Sequence, residues 1–104
     1  MKNINEKELH ELFYKLKKKE KTAYEELYQK YSSLVYKIAF SILKNKENAE
    51  DIMQNVFLKI SKLSEEKLPS NHEASWLYCV TKNETISYIR KNKETISIEN
   101  ITEK

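Results

Sequence analysis

Glycine is absent from this chain and proline occurs once, at Pro69, so the turn chemistry of tight β-hairpins is missing. Without glycine there is also no loop of the kind that cradles phosphates. The fold class that remains is all-α. A single cysteine, Cys79, excludes an intramolecular disulfide and suits a reducing compartment. No apolar run approaches the ~20 residues of a membrane span, and the N-terminus lacks the apolar centre of a signal peptide. A soluble, cytoplasmic protein without membrane insertion is therefore expected. Arginine too occurs once, at Arg90, and the formal net charge of +3 is too small to drive nonspecific nucleic-acid binding alone. Any contact with DNA should be local and assisted by a partner.

A chain of 104 residues forms one small domain that buries roughly 65% of the surface its unfolded form exposes. Helical spacing divides it into four segments. The first opens at Asn5, with Glu8 three positions on in a capping-box pattern, and places Leu9, Leu12, Phe13 and Leu16 on one face. It ends in Lys17, Lys18 and Lys19, where cations complement the helix dipole; a nucleic-acid patch is the other reading of that run. The second runs from about Glu20 to Lys44, with Leu27, Tyr31, Leu34, Val35, Ile38 and Ile42 as its main stripe. Tyr36, Phe40 and Leu43 cover another side, which marks it as the central helix. Ser32 and Ser33 are candidate bending points.

Asn45 stops that helix and caps the third, which reaches about Leu63. Its stripe is Ala49, Ile52, Met53, Val56, Phe57 and Ile60. The polar stretch from Ser64 to Asn71 carries the proline and reads as a loop. Ser70 with Glu73 forms a second capping-box pattern, so the last helix is expected to start there and run to about Lys93. On it Trp76, Leu77, Val80 and Tyr88 share one side, while Lys82, Ile86, Ile89, Arg90 and Lys93 share another. The architecture expected is a small four-helix bundle over residues 1–94, with 95–104 as a tail or the start of a linker.

Catalytic chemistry has no visible seat. His10 and His72 lie on different elements without ligands at metal spacing, and Cys79 has no histidine nearby in sequence. Neither catalytic residues, a metal nor a cofactor is expected. The third helix instead carries a second line, Asp51, Gln54, Asn55 and Leu58, at offsets that share a helical face. Short polar side chains around a leucine suit a helix-on-helix interface with a polar rim; an ordinary solvated face is the plainer reading.

Three separated segments agree in order and spacing with a known pattern: Ala23 to Leu27 with Tyr31, Ala49 to Gln54, and Trp76–Leu77 followed by Asn83 and Arg90. Together they resemble region 2 of the bacterial sigma factors, closest to the extracytoplasmic-function group. The resemblance implies that Asp51, Gln54, Asn55 and Leu58 bind the clamp helices of the RNA polymerase beta-prime subunit. It implies also that the loop from Ser64 to Ser75 receives a flipped base of the minus-ten promoter element. Lys82, Asn83, Arg90, Lys91 and Lys93 would then hold the non-template single strand, with Trp76 assigned to the core rather than to base stacking. An anti-sigma factor is a further implied partner, as is a second, helix-turn-helix domain after a linker that "TISIENI" would open.

Some positions depart from that pattern. Asn55 stands where the family often has Glu, Ser87 where Asp is frequent, and Glu84 where an apolar residue is usual. Glu84 is expected to bring negative charge beside the DNA face. These departures leave an alternative, a sigma-like interaction module that binds polymerase or an anti-sigma factor without promoter recognition.

Overall fold

The computed structural model describes residues 5–91, and they form four α-helices: α1 (Glu6–Lys17), α2 (Lys21–Leu43), α3 (Lys46–Lys62) and α4 (Glu73–Lys91). A single 3₁₀ turn, Glu65–Lys67, interrupts the α3–α4 connection, and no strand occurs among the described residues. The expected tail at 95–104, the linker, and Lys93 lie outside them.

Local chemistry sets the helix ends. The Asn5 side chain accepts from the Glu8 amide at 3.1 Å, and that of Asn45 accepts from the Asn48 amide at 2.8 Å, which satisfies orphan donors at both N-termini. The Glu8 carboxylate, however, does not serve a capping box: it takes the Lys30 ammonium and, at 3.2 Å, the Tyr31 hydroxyl, both on α2. Lys30 thereby holds the Glu8 carboxyl below its ordinary pKa. Lys44 closes α2 in the left-handed conformation, and Lys19 and His72, with φ of 62° and 53°, turn the chain at the other two junctions. α2 runs uninterrupted through Ser32 and Ser33.

α4 does not start where the Ser70–Glu73 spacing predicts. It begins at Glu73 itself, directly after the positive-φ residue His72. The Glu73 carboxylate is spent elsewhere, on His10, and so does not reach back to cap the backbone.

α2 is the central helix and packs on all three others, while α4 also packs on α1 and α3. The core joins Leu9, Leu12 and Phe13 of α1 to Leu27, Tyr31, Val35, Ala39 and Leu43 of α2 and to Ala49, Ile52, Val56, Phe57 and Ile60 of α3. Phe57 makes T-shaped contacts with two tyrosine rings, Tyr24 and Tyr28. The Tyr24 hydroxyl donates to the Phe57 carbonyl at 2.9 Å. α4 enters this core with Leu77 and, less expectedly, with Thr81 and Thr85, both fully buried. Their hydroxyls are silenced by donating to the carbonyls four residues back, Leu77 and Thr81, at 2.8 and 2.7 Å.

Candidate functional site

The α3 stripe that docks on the core leaves the opposite side of the helix in solvent. Asp51, Gln54 and Leu58 are exposed there and Asn55 is half-buried. Leu58 is 52% exposed, a large apolar side chain that the fold does not use. With Asn55, Lys59, Lys62, Leu63 and Glu84 it lines a shallow groove between α3 and α4. Two leucines are thus bordered by an amide, an acid and two lysines.

Glu84 belongs to this groove. Its carboxylate lies 3.7 Å from the Lys59 ammonium, so it turns towards α3 and away from Lys82. Successive residues of a helix rotate by 100°, which separates Glu84 from the Lys82–Ile86 line by most of a half-turn. A second contact crosses the same seam. The Tyr88 hydroxyl of α4 lies 3.0 Å from Asn48 Oδ1 and 3.2 Å from Asp51 Oδ2, both on α3. Burial, and then the Asp51 carboxylate, push the Tyr88 phenol above its ordinary pKa.

The outer side of α4 exposes Lys82, Asn83, Arg90 and Lys91. Ile86, which helical spacing places on this side, shares it with Tyr78, which that reading passes over. Tyr78 is 38% exposed with the Lys82 ammonium 5.7 Å from its ring centroid, and Ile86 is 40% exposed one turn further on. The i, i+4 spacing of Tyr78, Lys82 and Ile86 was the available signal for this ridge. Lys93, the last of the predicted cations, falls outside the described residues. Trp76 is half-buried, its ring edge-on to Phe13 at 5.5 Å, so it serves packing.

The loop ahead of α4 is tied down from α1. Leu68 is buried in the core, the Lys17 ammonium donates to the Ser70 hydroxyl, and His10 Nδ1 lies 2.6 Å from Glu73 Oε2. Glu73 is 6% exposed, and sequence spacing gave no hint of its partner 63 residues away. Among the described residues no group of three or more His, Cys, Asp or Glu is placed to hold a metal ion, and no helix is long and apolar enough to cross a membrane.

Residues 27–95 match the family of sigma-70 region 2. This chain belongs to that family. The sigma-70 region 2 match begins inside α2, so α1, which supplies Leu9, Leu12, Phe13 and His10, lies ahead of it. The chain is also similar to two curated proteins of Bacillus subtilis (strain 168). It is 32% identical over 74 residues to "ECF RNA polymerase sigma factor SigM", a match covering 71% of this chain and 45% of that protein. It is 32% identical over 79 residues to "ECF RNA polymerase sigma factor SigW", covering 75% of this chain and 42% of the relative. The chain thus spans less than half the length of either relative. No solved structure gives a match.

Proposed function

We propose that this chain is the polymerase-binding and promoter-melting domain of an alternative sigma factor, working in the cytoplasm. It directs an enzyme rather than being one. Asp51, Gln54, Asn55 and Leu58 dock on the clamp helices of the beta-prime subunit. The observation that carries the reading is Leu58, half in solvent on a helix whose other large apolar residues are buried or half-buried, among Asp51, Gln54 and Asn55. An aspartate there suits an arginine of the partner, a charge-assisted pair with fixed geometry.

Lys82, Asn83, Arg90 and Lys91, with Lys93 beyond the described residues, engage the non-template strand of the minus-ten element. Cations meet phosphates, while amide and tyrosine groups suit unstacked bases. An anti-sigma factor would cover the same faces when transcription is off. Glu84, one of the departures that favoured an interaction module without promoter work, is paired with Lys59 of α3 and so weighs less against DNA.

The test is a calorimetric titration of the chain with the isolated beta-prime clamp-helix fragment, beside the double substitution Asp51→Ala, Gln54→Ala checked for helicity by circular dichroism. Binding that the double variant loses supports docking through α3. A folded wild-type chain that gives no heat overturns it. Crosslinking of the polymerase complex to single-stranded minus-ten DNA then separates the sigma domain, which crosslinks, from the interaction module, which does not.

A further inference from the structure

We infer that Tyr88 is a positioning residue for polymerase docking, its hydroxyl fixing the Asp51 carboxylate in the orientation the clamp helices receive. The inference rests on the docking reading above.

Asp51 is exposed on the surface of α3, where a carboxylate without a partner turns among several rotamers. Tyr88 is a rigid donor: its ring is half-buried and packs against the core, so only the hydroxyl reaches out. That hydroxyl carries one hydrogen and faces two acceptors, Asn48 Oδ1 at 3.0 Å and Asp51 Oδ2 at 3.2 Å. Asn48 and Asp51 are three residues apart on α3, so the phenol sits over one turn of the docking helix from the side. One oxygen of Asp51 is thereby anchored towards α4. The other oxygen, and the remaining lone pair of the first, stay open to a guanidinium or ammonium from outside.

Two features make this more than a packing contact. First, the phenol is held above its ordinary pKa by burial and by Asp51, as a donor to a carboxylate should be. Second, holding a flexible acid in its bound rotamer removes an ordering cost that docking would otherwise bear. Tyr88 also stands two residues before Arg90, so the end of the helix assigned to DNA steadies the acid assigned to polymerase.

The substitution Tyr88→Phe keeps the ring and deletes the hydroxyl. It should leave the thermal midpoint nearly unchanged and weaken binding of the clamp-helix fragment by about 3- to 10-fold. In the Asp51→Ala background the same substitution should have no further effect, because the group it positions is gone. A hydroxyl with a merely structural role would cost the same in both backgrounds, and that result overturns the inference. So does wild-type affinity in Tyr88→Phe. A wild-type chain that does not bind the fragment at all overturns the docking reading first, and the role of Tyr88 with it. Independently of binding, Asp51→Asn should lower the pH at which the Tyr88 phenolate band appears; no change would show that the contact is absent in solution and would also overturn the inference.

Discussion

His10 of α1 and Glu73, the first residue of α4, meet at 2.6 Å, with the histidine side chain 56% exposed and the carboxylate all but enclosed. A carboxylate enclosed at a helix N-terminus is favoured by the dipole, and His10 gives it a hydrogen-bond partner. The two partners are therefore unequal. Removing the exposed one strands a buried carboxylate, whereas Glu73→Gln keeps an acceptor for the ring. His10→Ala should lower stability by about 2 kcal/mol and Glu73→Gln by about 1 kcal/mol or less, measured as urea midpoints. An equal or reversed ranking would mean that the carboxylate is hydrated without its partner.

Leu58 carries the opposite expectation. Its side chain stands away from the core, so Leu58→Lys should change stability by no more than about 0.5 kcal/mol. Calorimetry should find clamp-helix binding abolished in the same variant. Loss of binding accompanied by unfolding would count against a dedicated docking role.

The buried threonines of α4 test whether their hydroxyls are spent or useful. Each donates to a carbonyl already within the helix ladder, so little is left unpaired when the hydroxyl is replaced by a methyl group. Thr81→Val should stay within about 1 kcal/mol of the wild type, while Thr81→Ala, which opens a cavity, should cost about 1–2 kcal/mol. Thermal unfolding of the two variants decides, since 1 kcal/mol moves the midpoint by about 4–8 °C in a domain of this size.

These same residues mark how far the sequence could be read. The α3 stripe and the Asn45 cap were legible because both depend on spacing within a few residues, and the observed helix follows them closely. Glu73 was not. Its local spacing from Ser70 imitates a capping box, and its true partner comes from α1, a relation that no window along the chain contains. Thr81 and Thr85 were missed because a threonine's polarity hides its fitness for a core once the hydroxyl bonds its own helix. For the candidate site, the solvent exposure of Lys82 and Arg90 followed from their helical phase, while Asn83 entered through the resemblance alone. The direction of Glu84 did not, because a flank residue turns to whichever neighbour tertiary packing offers, here Lys59. Tyr78 passed unnoticed because Trp76, two residues earlier, drew the aromatic role.

Alkaline pH should weaken the fold. Burial raises the phenols of Tyr24, Tyr31 and Tyr88, with further help from Tyr28, Glu8 and Asp51 respectively. Between the unfolded pKa of about 10 and each higher folded value, the native state keeps a proton that the unfolded chain has lost. The stability of these phenols is therefore fully present below about pH 10 and falls as pH rises through the folded values. Chemical denaturation at pH 9 and pH 11 should show the loss, and Tyr24→Phe should reduce it. A midpoint independent of pH over that interval would contradict the full or partial burial of the three phenols.

The corners of the bundle explain how a chain without glycine turns at all. Lys19, Lys44 and His72 all take left-handed conformations, which cost an ordinary residue about 1–2 kcal/mol. Glycine would escape that cost but lose about 0.5–1 kcal/mol more in backbone freedom on folding. At Lys19 and Lys44 a second offset operates, because each lies just past a helix C-terminus, where a cation contributes about 0.3–1 kcal/mol. The lysines are thus nearly as good there as glycine. His72 stands instead before a helix N-terminus, where no such interaction with the dipole is on offer. Thermal unfolding of the three glycine variants should therefore single out His72→Gly as the stabilising one. The bundle has then accommodated its missing residue at two corners and is still vulnerable at the third, which is the one that aims α4.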